Sequence, residues 1–167
     1  MNTVSIYETS ELVEQYLLFH YGEPEEILPY SFGPRDALNF AQRCVTETFN
    51  LDTIGSNLRA LDLGCAVGRS SFELSRFCQE VIAIDSSKAF IEAAQLLQQN
   101  GSLNYRRSDE GPLKTDLTAK LPAGCVVEHV AFRCGDALEA NPADGQFDLV
   151  LAANLIDRVS DPTRLLQ

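Results

Sequence analysis

The chain alternates between stretches whose apolar residues recur at helical spacing and short, nearly continuous apolar runs. In residues 10–21, Leu12, Tyr16 and Phe19 fall at i, i+4 and i+7 behind Ser10, with Gly22 following. That pattern predicts a helix capped by Ser10 and stopped by Gly22. Pro34 then suits the first position of a second helix from Arg35 to about Phe49, with Ala37, Phe40, Ala41, Cys44 and Val45 on one face. Leu58–Leu63, Val81–Ile84, His129–Cys134 and Phe147–Ala152 are short apolar runs, as in strands buried on both faces of a parallel sheet. Helical patterns separate them, Ser70–Phe77 and then Phe90, Ile91, Ala94 and Leu97, the second capped by Ser86 or Ser87 and ended by Gly101.

This β-α-β-α order predicts an α/β fold, a doubly wound, Rossmann-like parallel sheet with right-handed crossovers and N-terminal helices. Residues 1–57 form a helical extension packing near the site, and residues 58–167 the α/β core. Residues 102–125 are an insertion with a strand at Leu103–Arg107, a turn at Ser108–Gly111 and a small helix carrying Leu113, Leu117 and Leu121. Asp161 and Pro162 mark a helix start as cap and first residue. The sequence ends within two turns of that start, so the core is expected to be incomplete at its C-terminus, a portion of a longer domain or an early-ended product.

Candidate chemistry gathers where the strands end. The first strand runs into Asp62-Leu-Gly64-Cys65-Ala66-Val-Gly68-Arg69, and a helix follows at once. A strand, a tight loop and a helix N-terminus bring backbone N–H groups toward a ligand. A dinucleotide fingerprint, G-x-G-x-x-G/A, needs a small third residue to pack helix on strand, but counting from Gly64 that position is Arg69. Small residues instead alternate at 64, 66 and 68, two residues after an acid. This spacing resembles motif I of class I S-adenosylmethionine (SAM) methyltransferases, with Ala66 where a middle glycine is usual; a ligand-free glycine turn is the alternative. Asp85 closes the second strand 21 residues past Gly64, a distance that suits a carboxylate accepting both hydroxyls of a ribose. Asp136, in the turn Gly135-Asp136-Ala137, has two readings of equal weight, an adenine contact or a turn acid. Ligands of open α/β sheets lie beyond the carboxyl ends of the strands, where Gly64, Asp85, Asp136 and Asn154 all fall.

Charge narrows the partners. With 24 acidic and 13 basic residues the net charge is −11, which repels a nucleic-acid backbone and favours a small-molecule substrate. No apolar run approaches the ~20 residues of a membrane span, and the N-terminus carries no basic start or apolar h-region, so a cytoplasmic location is expected. Five cysteines (44, 65, 78, 125 and 134) show no zinc or C-x-x-C spacing and read as buried thiols, with no metal expected. His20, among apolar neighbours on the first helix, reads as a packed histidine rather than a ligand.

Taken together, Gln15–Gly22, Phe32–Arg35, Leu61–Arg76, Tyr105–Gly111 and Phe147–Arg158 resemble the 4-mercaptohistidine N1-methyltransferase domain of ovothiol biosynthesis. The narrower part of the likeness rests on Tyr105-Arg-Arg-Ser-Asp-Glu-Gly111 and Ala152-Ala-Asn-Leu-Ile-Asp-Arg158. The resemblance implies SAM as cofactor, with Gly64, Cys65, Ala66 and Gly68 at its methionine part, Asp85 at the ribose, Asp136 and Ala137 at the adenine, and Asp62 and Ser86 also among the cofactor-binding residues. Asn154 is placed at the cofactor and, with Tyr30 and Arg35, on the substrate side, Arg35 as a partner for a carboxylate. The acceptor it implies is a ring nitrogen of 4- or 5-mercaptohistidine, with no general base identified. Three alternatives stand beside it: a SAM methyltransferase for another small acceptor, a non-catalytic SAM-binding remnant, and an NAD oxidoreductase, the last disfavoured by Arg69.

Overall fold

A computed structural model describes residues 6–50, 57–139 and 142–166. In chain order its elements are α1 (Ser10–Tyr21), α2 (Pro24–Ile27), α3 (Phe40–Thr46), β1 (Leu58–Leu63), α4 (Arg69–Leu74), β2 (Cys78–Asp85) and α5 (Lys88–Asn100). They continue with β3 (Ser102–Ser108), β4 (Lys114–Lys120), β5 (Val130–Cys134), β6 (Leu149–Leu151) and α6 (Pro162–Leu165). The main sheet has the order β5-β2-β1-β6, with every neighbour parallel. Strand order therefore reverses at β1, whose two sides carry β2 and β6. A reversal of this kind opens a crevice at the carboxyl ends of the strands. This is the Rossmann-like α/β architecture expected of the sequence.

Alternation along the strands divides the interior in two. Ala60, Val81 and Ala83 face a large core with Phe72 of α4, Phe90, Ala94 and Leu97 of α5, Leu17 and Tyr21 of α1, and Val45 of α3. Leu61, Leu63, Ile82 and Ile84 face the other way, into a smaller cluster with Phe147, Leu155 and Leu165 of α6. Gly68 sets how closely α4 approaches the sheet. Its φ is +85°, and a Cβ there would lie 2.7 Å from Cζ of Phe132. Only glycine meets both demands at low cost.

Three local expectations are corrected. Thr9, not Ser10, caps α1, accepting the Leu12 N–H at 3.4 Å. The second helix does not run unbroken from Arg35. A single 3-10 turn at Arg35–Ala37 ends, Asn39 adopts φ 57°, and α3 starts afresh at Phe40. Asparagine tolerates that left-handed conformation, so a continuous apolar face in sequence becomes two pieces in space. Finally, Leu113–Leu121 is not a helix: β3 and β4 form an antiparallel hairpin with Tyr105 opposite Leu117. Residues 113, 117 and 121 are four apart, a spacing that suits one helix face and equally one face of a strand. Within β4, Thr115 and Leu117 are partly buried and Ala119 fully, whereas Lys114, Asp116, Thr118 and Lys120 are exposed, which is the strand alternation.

Elsewhere the local chemistry is as read. Ser87 caps α5, accepting the Phe90 N–H at 3.1 Å, and Gly101 ends it at φ 75°. Asp161 accepts the Thr163 and Arg164 N–H groups ahead of Pro162. All five cysteines are free; Cys65 and Cys78 are buried, but Cys134 is exposed rather than buried, at the end of the edge strand β5. No helix among the described residues is long and apolar enough to cross a membrane.

Candidate functional site

A cavity of about 820 Å³ opens at the carboxyl ends of the strands and reaches from Asp62, Gly64 and Ala66 to Asp85, Asp136 and Asn154. Its sheet-side wall is built from backbone. The Gly64 and Cys65 N–H groups both donate to the carbonyl of Ile84, at 2.8 and 3.1 Å. Asp85 then ties the two loops together: Oδ2 accepts the Ala66 N–H at 2.9 Å, and Oδ1 accepts the Ser87 N–H at 2.8 Å. An ionised carboxylate has about four lone-pair sites, so Asp85 keeps acceptor capacity for a ligand. Burial raises its pKa above the ordinary carboxylate value, opposed by those two N–H groups.

These bonds correct one expectation about the loop. The N–H groups of residues 64, 65 and 66 are already engaged by protein acceptors, so they form no open anion cradle. What lines the cavity instead is acid: Asp62, Asp85, Asp136 and Asp157, against a single arginine, Arg158. Asp62 is 2% exposed and accepts the Ser71 hydroxyl at 2.6 Å. Burial pushes its pKa up to about 7, with the Ser71 hydrogen bond opposing and Asp85 adding to the rise. A buried carboxyl without a cationic partner is held near neutrality in this way. The wall is acid-rich, which suits a cation and disfavours a pyrophosphate.

The opposite wall comes from the N-terminal layer. Tyr7, Tyr16, His20, Phe40 and Ala41 face the same cavity. The Tyr21 hydroxyl donates to the Val67 carbonyl at 2.8 Å, and Ser70 Oγ donates to the Ala41 carbonyl at 3.1 Å. Arg69 Nη1 donates to the carbonyl of His20 at 3.1 Å, while its Nη2 pairs with Glu73. Arg69, which rules out the dinucleotide fingerprint, thus clamps α1 onto α4. A second, smaller cavity of about 280 Å³ shares Tyr16, His20, Phe40, Ala41 and Asn154 with the first and continues between α1 and residues 37–41.

Of the residues singled out from sequence, Asp62, Gly64, Cys65, Ala66, Asp85, Ser86, Asp136, Ala137 and Asn154 are all brought together on the larger cavity. Cys65 is buried, and burial raises its thiol pKa well above the ordinary value, so it supplies shape rather than a thiolate. Asp136 accepts the Leu138 N–H at 2.9 Å, so it serves as a turn acid while also lining the cavity. Gly68 does not line it; its role is beneath the loop, against Phe132. Tyr30 and Arg35 line neither cavity. Tyr30 stacks on Phe32 at the surface, and Arg35 is occupied by Glu25 and the carbonyls of Leu28 and Tyr30. That guanidinium closes its own loop, away from both cavities. His20 is packed against Tyr16 and Tyr21, and it also borders both cavities. Burial, with Arg69 adding, lowers its pKa to about 4. The aromatic wall of Tyr7, Tyr16 and Phe40 was missed, since apolar helical spacing marks a buried face without saying what it faces.

A parallel sheet reversing at β1, with an acid-lined crevice over its carboxyl ends, defines a Rossmann-like domain. Residues 61–167 match the family described as Methyltransferase domain, and the chain belongs to it. The chain is 30% identical over 112 residues to a ubiquinone biosynthesis O-methyltransferase of Bradyrhizobium diazoefficiens, a match covering 67% of this chain and 34% of the relative. It thus spans about a third of the length of that curated relative. Among solved structures, the [4+2]-cyclase SpnF shares the fold at 18% identity, with a TM-score of 0.56 over 96% of this chain and 53% of the other. Magnesium protoporphyrin IX methyltransferase from Synechocystis PCC 6803, solved with bound S-adenosylhomocysteine, does so at 17% identity, with a TM-score of 0.50 over 86% and 53%. At these identities the two structures speak for the fold alone.

Proposed function

We propose that the chain is the cofactor-binding portion of a SAM-dependent methyltransferase acting on a small molecule, a ring nitrogen of 4- or 5-mercaptohistidine in ovothiol biosynthesis. The observation that carries the cofactor side is the acid-rich wall. Asp62 and Asp85 face a cavity of about 820 Å³, within the ~300–1,000 Å³ of ordinary ligand sites. When bound, SAM supplies a methyl group on a cationic sulfonium. Asp62, held near neutrality by burial, ionises readily beside a cation; Asp85 and Ser86 take the ribose, and Asp136 and Ala137 the adenine. Gly64, Cys65 and Ala66 keep the loop slim where the methionine part runs. Methyl transfer is an in-line displacement that needs alignment at about 3 Å more than it needs a strong base. Tyr16, Phe40 and Asn154 supply that alignment from the shared wall of the two cavities.

Residues 1–57 serve in this reading as the acceptor-side layer and residues 58–167 as the cofactor half, with 102–125 inserted as a hairpin. The mercaptohistidine acceptor is supported by the resemblance at Tyr105–Gly111 and Ala152–Arg158. An oxygen acceptor is the second reading, favoured by the likeness to the ubiquinone biosynthesis O-methyltransferase. Calorimetric titration with SAM and S-adenosylhomocysteine tests the cofactor claim. Asp85→Ala is expected to weaken binding by ~1.5–3 kcal/mol, the worth of a hydrogen bond to a charged group. Equal affinity of wild type and variant would remove Asp85 from the site. Methyl transfer from labelled SAM to mercaptohistidine, set against a phenol panel, separates the two acceptors.

A further inference from the structure

The smaller cavity has a composition unlike its neighbour's. Among the described residues no Asp, Glu, Lys or Arg lines it: its walls are Tyr16, Phe19, Ile27, Leu38 and Phe40 with His20, Asn39 and Asn154. Its volume of about 280 Å³ lies just below the ~300–1,000 Å³ of drug-sized ligand pockets, enough for one small ring system. It joins the larger cavity through Tyr16, His20, Phe40, Ala41 and Asn154, so a ring seated in it reaches the space assigned to the cofactor.

Within that lining, His20 has a polar atom to offer. Its Nδ1 is shut off from solvent and finds no hydrogen-bond partner among the described residues. A neutral imidazole carries one N–H and one lone pair. Buried N–H groups without a partner are rarer than under-satisfied acceptors, so the lone pair belongs on Nδ1 and the proton on Nε2. Any polar contact of this ring with a ligand is then made by Nε2 as a donor.

We infer that the smaller cavity seats the methyl acceptor, and that His20 Nε2 donates a hydrogen bond there to a sulfur or oxygen on a planar ring that is uncharged inside the cavity. This rests on the methyltransferase reading above and deepens it, by naming the part of the acceptor that enters first. The charged end of an amino-acid acceptor stays outside, toward the larger cavity, where Arg158 lines the wall. A role for His20 as general base is excluded by magnitude. A base with a pKa of about 4 facing a proton of pKa ~10 transfers it to about one part in a million. The groups facing the ring keep it neutral: Tyr16 and Tyr21 on its own helix lie with ring centroids at 5.7 and 6.4 Å, and Arg69 of α4 bonds its carbonyl.

The test uses the full chain saturated with S-adenosylhomocysteine and titrated calorimetrically with three probes: 4-mercaptoimidazole, imidazole and imidazole-4-carboxylate. The mercapto probe is expected to bind about tenfold tighter than imidazole, the worth of one hydrogen bond, and the carboxylate weakest. His20→Phe keeps a ring and should erase the sulfur preference, measured with the variant saturated with S-adenosylhomocysteine at whatever concentration its own affinity requires. His20→Gln returns an N–H near the Nε2 position and should recover most of the preference. In ¹H–¹⁵N spectra the His20 ring should remain the neutral Nε2–H form from pH 5.5 to 8.5. A sulfur preference intact in His20→Phe, a carboxylate probe that binds best, or a ring that protonates near pH 6.5 would overturn the inference alone. Failure of wild type to bind S-adenosylhomocysteine would overturn it together with the methyltransferase reading.

Discussion

The two walls of the large cavity are built by opposite means. On the sheet side, position is set by backbone: Gly64 and Cys65 hang from the Ile84 carbonyl, and Asp85 laces Ala66 to Ser87. On the helical side, position is set by side chains: Tyr16 packs tilted on Phe90, and Tyr21, Ser70 and Arg69 each reach across to a carbonyl of another segment. A backbone wall fixes the residue types that can occupy it, whereas a side-chain wall accepts any set of the right bulk and reach. This difference predicts how each wall will fail.

The sheet-side wall should break hardest at Gly68. Adding one methyl group imposes φ +85° on an L-residue and drives a Cβ against Phe132 and Ala94. Left-handed backbone costs roughly 1–2 kcal/mol and overpacking roughly 1–3, so Gly68→Ala is expected to lose about 2–5 kcal/mol. Urea denaturation measures this, and a loss below about 1 kcal/mol would mean that α4 can slide away from the sheet.

Asp62 sharpens the same wall through its charge. Its folded-state pKa of about 7 lies above the ordinary carboxyl value of 3.8, so the native protein binds the extra proton between those values. Stability from this group is therefore present below pH ~4 and lost as pH rises through 7. His20 has the opposite sign. Its pKa of about 4 is depressed from 6.5, so its contribution is present above pH ~6.5 and lost as pH falls through 4. The two slopes partly cancel in wild type, which makes the difference between variant and wild type the informative curve. Asp62→Asn keeps an oxygen for Ser71 to donate to and removes the buried charge. It should match wild type near pH 4 and exceed it at pH 8, with an upper limit of about 4 kcal/mol. Equal stability at both pH values would show that Asp62 ionises without penalty.

The helical wall should yield less. Tyr21→Phe removes the hydroxyl that satisfies the buried Val67 carbonyl. Leaving one buried acceptor unpaired costs about 1–3 kcal/mol, and the loss should appear in thermal unfolding with little effect on cofactor affinity. A large loss of affinity instead would show that α1 holds the loop 64–68 in shape rather than resting on it.

The same contrast explains what could be read from sequence. The loop at Gly64–Gly68, Asp85 at the second strand tip and the turn at Asp136 were legible because backbone geometry there admits few residues. Strand runs such as Val81–Ile84 were legible because burial on both faces leaves them wholly apolar. The hairpin at Ser102–Lys120 was not, because leucines four apart satisfy two periodicities, and nothing local chooses between them. Nor was His20, whose sequence neighbours are apolar while its spatial neighbours include a cavity and Arg69. The break at Asn39 was hidden for a further reason: an asparagine inside an amphipathic pattern marks a left-handed turn only once the chain beyond it changes direction.

Arg35 offers the mildest test. It resembles a carboxylate-binding residue by charge and by its place after Phe32-Gly-Pro. In space it is tied to the exposed Glu25 carboxylate and to the carbonyls of Leu28 and Tyr30, away from both cavities. Surface ion pairs of this kind are screened by water and salt and contribute little to stability. Arg35→Ala should therefore leave the unfolding midpoint and S-adenosylhomocysteine affinity nearly unchanged, and should alter acceptor KM by less than about twofold. A KM rise of tenfold or more with kcat unchanged would mean that residues 28–35 fold over the acceptor when it binds. Arg35 would then belong to a third, mobile wall, built by side chains as the helical one is.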